Sequence, residues 1–134
     1  MSLVERRARR VLVADDEPLV LELIVTRLSI AGFEVRGAKD GAQALDRLTD
    51  FRPEALVLDI NMPKLDGFGV LSHMRAQGLS DKVPTLVLTA RNAAEDVAKA
   101  IKLGAKDYLS KPFRDEQLIQ RVGRLFNRAR PVGG

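Results

Sequence analysis

The sequence predicts an α/β domain built on a parallel sheet. Short apolar runs alternate with longer amphipathic stretches five times along the chain, which is the pattern of strands joined by crossover helices. Three of those runs are apolar nearly throughout, as strands covered on both faces must be. The 134 residues, 46% of them hydrophobic, suit one domain with its own core, given roughly 100 to 200 residues per domain.

The first run, "VLVA" at 11 to 14, ends in Asp15, Asp16, Glu17 and Pro18. Pro18 is tolerated in a first helical turn, and Leu21, Ile24, Val25 and Leu28 then follow at helical spacing, so a helix is expected over 18 to 31 with Gly32 as its stop. A second strand is read at "EVRGA", 34 to 38, followed by a helix that Asp40 caps ahead of "GAQALDRL". The third and fourth strands are "ALVLD" at 55 to 59 and "TLVLTA" at 85 to 90, with a helix over 66 to 77 between them. A helix over 93 to 103, stopped by Gly104, leads to the fifth strand "KDYLS" at 106 to 110, and a last helix runs over 114 to 129. The second and fifth strands are the most polar and belong at the edges. That distribution suits the flavodoxin-like strand order 2-1-3-4-5.

Composition removes several classes of function. The chain has no cysteine, which excludes a disulfide framework and thiolate metal sites. No apolar run approaches the roughly 20 residues a spanning helix needs, and "MSLVERRARR" lacks the apolar stretch of a signal peptide, so a cytoplasmic location is expected. The net charge is +4; residues 1 to 10 carry +3 and residues 121 to 134 carry +4, which leaves −3 for the body. The basic ends therefore read as solvated tails or linker stubs, residues 1 to 10 and 129 to 134, around a domain at 11 to 128.

In such a sheet, ligands bind at the carboxyl ends of the strands, where the strand order reverses. Strands one and three flank that point, so Asp15, Asp16 and Asp59 converge from places more than forty residues apart. Clustered carboxylates need a proton or a cation. A hard divalent cation answers the need, because Mg²⁺ prefers oxygen ligands and is commonly held by carboxylates together with phosphate oxygens. Helix capping would explain one of the first two acids but gives no reason for Asp59. Thr89 and Lys111 close the fourth and fifth strands on the same edge. A hydroxyl and an ammonium beside a metal-bound carboxylate suit a phosphoryl group, and a carboxylate is a competent phosphoryl acceptor.

The segments "VLVADDEP", "LVLDINMPKLDGFGVL", "PTLVLTA" and "KLGAKDYLSKPF", with the closing amphipathic helix, resemble the receiver domain of bacterial two-component response regulators from Val11 to about Arg128. The resemblance implies Asp59 as phosphoacceptor, Mg²⁺ as cofactor with Mn²⁺ as a substitute, and Asp15 and Asp16 as the acidic pair at the metal. It implies that Asn61 offers the metal its backbone carbonyl, that Thr89 and Lys111 contact the phosphoryl group, and that Pro112 follows a cis bond. Tyr108 takes the aromatic switch position, turning inward as Thr89 moves and repacking the face of helix four, strand five and helix five. Expected partners are a histidine kinase or histidine phosphotransfer protein upstream, and a partner protein or output domain downstream. The domain would be a signalling phosphoacceptor rather than an enzyme, with nucleic acid contacted only through an output domain. A homodimer is a further expected state, but Lys106 and Gln117 replace acids usual in the charged dimer face of winged-helix regulators, whereas Asp107 and Arg121 fit it. A protein relay or single-domain role is favoured over a receiver excised from a longer transcription factor.

Other features carry less. His73 is read as a surface residue, "GFGVLS" lacks the third glycine of a nucleotide-binding loop, and Arg91 is placed where it could steer water at the phosphoryl group.

Overall fold

The computed structural model describes residues 7 to 90 and 94 to 127. Five parallel strands, β1 (Arg10–Ala14), β2 (Glu34–Ala38), β3 (Ala55–Asp59), β4 (Thr85–Thr89) and β5 (Asp107–Ser110), form one sheet in the order β2-β1-β3-β4-β5. The helices α1 (Pro18–Ile30), α2 (Gly41–Asp50), α3 (Gly67–Ala76), α4 (Ala94–Lys102) and α5 (Asp115–Leu125) connect or follow them. The expected order and edge assignment hold: β3 and β4 are buried along their whole length, whereas β2 and β5 alternate.

Alternation along the strands sorts the core into two layers. Leu12, Ala14, Leu56, Leu58 and Val87 face α2, α3 and α4 through Leu48, Val70, Leu71, Met74 and Ala100. Their neighbours Val11, Val13, Val57, Leu86 and Leu88 face α1 and α5 through Ile24, Leu28, Leu118 and Val122. Leu12, Leu56, Leu58, Leu86 and Leu88 are fully buried, and burying one such side chain is worth roughly 1.5–3 kcal/mol.

Helix boundaries follow local chemistry. Asp40 caps α2 by accepting the Gln43 N–H at 2.7 Å, and Asp66 caps α3 by accepting from Gly69 at 2.9 Å. Gly32 (φ 106°) and Gly104 (φ 114°) take the left-handed conformation that ends α1 and α4. The last helix is shorter than the expected 114 to 129. It stops at Leu125, because the N–H groups of Phe126 and Asn127 bond to the carbonyls of Gly123 and Arg124 and tighten the final turn. Arg91, residue 93 and residues 128 and 129 of the sequence expectations lie outside the described residues.

Candidate phosphoryl and metal site

The carboxyl ends of β1, β3, β4 and β5 bring the expected side chains to one edge. The Asp15 N–H bonds to the Ala38 carbonyl at 3.0 Å, continuing the ladder one residue past β1. Its side chain is buried, and one carboxylate oxygen accepts the Glu17 N–H at 2.9 Å, which turns the chain into α1 at Pro18. Asp59, the last residue of β3, is only 3% exposed. Beneath it the chain of α3 begins at Gly67, where a Cβ would come within 2.7 Å of the Asp59 carbonyl oxygen. Only glycine allows that approach. One oxygen each from Asp15, Asp16 and Asp59 lie within 4.8 Å of one another, an all-oxygen donor set of the kind that suits a hard divalent cation.

Lys111 reaches this cluster from β5. Its backbone N–H bonds to the Thr89 carbonyl at 2.8 Å, and the Lys111–Pro112 peptide bond is cis. The ammonium lies 3.1 Å from Asp15, 3.5 Å from Asp59 and 3.9 Å from Glu17. The sequence places Lys111 at an incoming phosphoryl group and gives Glu17 no part in the site. The side chain in fact rests on the acids directly, and Glu17 is drawn into the same pairing. No spacing rule reports a contact across 96 residues.

The electrostatics are those of a crowded, partly buried anionic site. Burial pushes the Asp59 carboxyl from 3.8 up to about 6; the charge of Lys111 opposes this, the charge of Asp15 adds to it, and the Asn61 N–H bond at 3.4 Å opposes it. For Lys111 burial acts downward, but the hydrogen bond with Asp15 and the charges of Asp59, Asp15 and Glu17 together outweigh it, and its pKa is raised. The Thr89 hydroxyl is buried and has no hydrogen-bond partner among the described residues. A buried hydroxyl left unpaired costs about 1–3 kcal/mol, so it stands ready for an acceptor.

The site opens on a cleft of about 720 Å³ with Asp59, Asn61 and Lys111 on its polar floor and Val20, Leu23 and Phe113 on its apolar wall. Tyr108 is 43% exposed, and His73 is exposed, as its reading as a surface residue expects.

Fold and site together define an acid-bearing domain of the flavodoxin-like class, with its chemistry at the topological switch point. The chain belongs to the response regulator receiver domain family, whose model matches residues 11 to 123. It is 44% identical over 122 residues to the response regulator MprA of Mycobacterium avium, covering 91% of this chain and 53% of that protein. It is 47% identical over 119 residues to the transcriptional regulatory protein PrrA of Mycobacterium leprae, covering 89% and 50%. The chain thus spans about half the length of the curated relatives it matches. Among solved structures, the receiver domain of the Francisella response regulator 1452 superposes with a TM-score of 0.83 at 34% identity, covering 91% of this chain and 99% of that one. The chemotaxis protein CheY4 of Vibrio cholerae superposes with a TM-score of 0.82 at 31% identity, covering 88% and 98%.

Proposed function

We propose that Asp59 is the phosphoacceptor of this receiver and that it takes its phosphoryl group from a histidine kinase or a histidine phosphotransfer protein. The observation that carries this reading is the cluster itself: Asp15, Asp16 and Asp59 within 4.8 Å, Lys111 at 3.1–3.5 Å, and the unpaired Thr89 hydroxyl on the adjoining strand end. A carboxylate oxygen of Asp59 attacks phosphorus in line. The new O–P bond forms as the N–P bond of the donor breaks, and the electron pair leaves on the imidazole nitrogen, which regains a proton. Lys111 pairs with the charge that builds on the phosphoryl oxygens, and Thr89 donates the hydrogen bond it does not otherwise make. Held by the carboxylates of Asp15, Asp16 and Asp59 and the Asn61 carbonyl, Mg²⁺, or Mn²⁺ in its place, would supply positive charge to the same oxygens.

Thr89 moving toward the phosphoryl group leaves space that Tyr108 fills from its outward position, which changes the face of α4, β5 and α5. The domain acts as a signalling phosphoacceptor, not as an enzyme, in the cytoplasm where such kinases deliver phosphate. The half-length match to a protein named as a transcriptional regulator favours an output in transcription over the single-domain role expected from sequence. On the α4, β5 and α5 face, Lys106 pairs with Asp81 at 3.5 Å and Arg121 with Asp107 at 3.2 Å inside one chain.

The test is labelling with acetyl phosphate or phosphoramidate in the presence of Mg²⁺, read by intact mass. One added phosphate is expected, lost in Asp59→Asn. Absence of labelling, or labelling undiminished in the variant, overturns the assignment.

A further inference from the structure

The opposite end of the sheet has a charge of its own. Arg7, Arg9 and Arg10 enter β1 there, Arg52 lies in the turn before β3, and Arg124 sits on the last turn of α5. The fold ties these segments together. Arg9 lies over the Phe126 ring at 4.7 Å, and Phe126 stacks on Phe33 at 5.8 Å. Arg10 donates from Nε to the Arg52 carbonyl at 2.9 Å, while the Glu34 and Glu54 N–H groups bond to the carbonyls of Arg9 and Arg10. The entry to β1 and the end of the last helix therefore meet at one pole, although in sequence they read as two separate segments.

The basic residues at this pole exceed what the helices require. Cations at helix C-termini answer the macrodipole, and Arg124 fits that account. Arg7, Arg9, Arg10 and Arg52 are on no helix. Glu54 pairs with Arg7 and Arg10 at 3.8 and 3.6 Å, and Glu34 stands exposed on β2 opposite Arg10, so two acids face the five arginines. Arg9 and Arg52 are exposed, and a guanidinium laid over a ring keeps its N–H edge free to donate. Every one of these cations is an arginine, the side chain whose planar fork matches phosphate oxygens in pairs.

We propose that this pole, built from Arg7, Arg9, Arg10, Arg52 and Arg124, binds the phosphate backbone of duplex DNA without regard to sequence. Duplex is favoured over single strands because the local rings are stacked on each other and capped by Arg9, leaving no open platform for bases. An acidic protein would accept the same paired donors, but protein interfaces centre on apolar and aromatic anchors, and the two rings at this pole are stacked on each other under Arg9; interfaces with DNA are the more polar and more positively charged kind. The surface lies at the other end of the strands from Asp59, so it is independent of the phosphoacceptor reading.

The experiment is fluorescence anisotropy of a labelled duplex of arbitrary sequence with the full chain, titrated over a range of NaCl concentrations. Each phosphate neutralised contributes about −0.9 to the slope of log K against log salt, so a slope of about −3 is expected. The triple variant Arg7→Gln, Arg9→Gln, Arg52→Gln should lose most of that slope and bind at least about tenfold more weakly in low salt. Far-UV circular dichroism and the urea unfolding midpoint of the same preparation report that the variant is folded. A control with equal loss of charge, Lys39→Gln, Lys64→Gln, Arg114→Gln, changes residues at the opposite end and should bind as the parent does. No binding in low salt, an unchanged slope in the triple variant, equal weakening by the control, or displacement by polyglutamate or single-stranded RNA as effective as by unlabelled duplex would each overturn the proposal.

Discussion

The two ends of the same five strands are built on opposite electrostatic terms. At the carboxyl ends, Asp15 and Asp59 are buried with a single lysine between them, and the Thr89 hydroxyl is unpaired. At the amino ends, charge lies outside the core: Glu54 accepts the Arg10 N–H at 3.0 Å and faces two guanidinium groups. The first end stores unfavourable interactions among its buried acids that a ligand would relieve, whereas at the second the carboxylate of Glu54 is satisfied within the chain. Removing charge should therefore have opposite signs at the two ends, and that expectation orders the tests.

The largest effect is expected at Lys111. In Lys111→Ala the phosphoryl oxygens lose their only described protein cation within the cluster. The initial rate of labelling by acetyl phosphate should fall about a hundredfold, the scale for losing one preorganised charge. A fall of less than about threefold would place the catalytic charge elsewhere.

Asp59 comes next, and here the sign is the informative part. Because burial holds its folded pKa at about 6 against 3.8, the native state binds this proton more tightly than the unfolded chain does. The stabilisation is fully present below pH 3.8 and is lost as pH rises through 6. At neutral pH the carboxylate is thus a cost, and Asp59→Asn should raise the unfolding free energy by about 2 kcal/mol. In urea titrations without divalent cations the gain should vanish at acid pH. Mg²⁺ should stabilise the parent chain and leave the variant nearly unmoved; equal responses would argue against Asp59 as a ligand.

At the amino end the sign reverses. Glu54→Ala removes the acceptor of the Arg10 N–H and leaves Arg7 and Arg10 facing each other. A loss of about 1 kcal/mol is expected in the same titrations, since the ion pairs are partly exposed and contribute little beyond the hydrogen bond. A gain would break the contrast between the two ends.

What the sequence conveyed, and what it withheld, follows the same division. Apolar runs and acids at strand ends are local signals, and they suffice for the sheet order and for the convergence of Asp15, Asp16, Asp59, Thr89 and Lys111. Quantities that depend on depth were illegible. The raised pKa of Asp59 comes from burial by its neighbours, and the recruitment of Glu17 comes from where the Lys111 ammonium stops. Gly41 reads as an ordinary first-turn residue, yet a Cβ there would collide with the Leu65 carbonyl oxygen, which crosses directly above it. The meeting of Arg9 with Phe126 was hidden for the same reason: it joins segments at the two ends of the chain through a ring that sequence presents only as an apolar helix residue.

The smallest expected effect separates strain from charge at the amino end. Arg52 adopts φ 52°, a left-handed conformation that costs a residue with a Cβ roughly 1–2 kcal/mol. Glycine relieves that cost but makes the unfolded chain freer by about 0.4–1 kcal/mol, so Arg52→Gly should stabilise the fold by only about 0.5 kcal/mol. Arg52→Ala keeps the strain and loses the same charge, so its stability should stay near that of the parent. The Arg10 bond to the carbonyl of residue 52 survives in both, since it involves the backbone. If the arginine is retained for its charge, both variants should shed the same fraction of the salt dependence of duplex binding, about one phosphate, while differing in stability. Equal stability with unequal binding would mean that the turn's shape, and not its guanidinium, is what the amino end supplies.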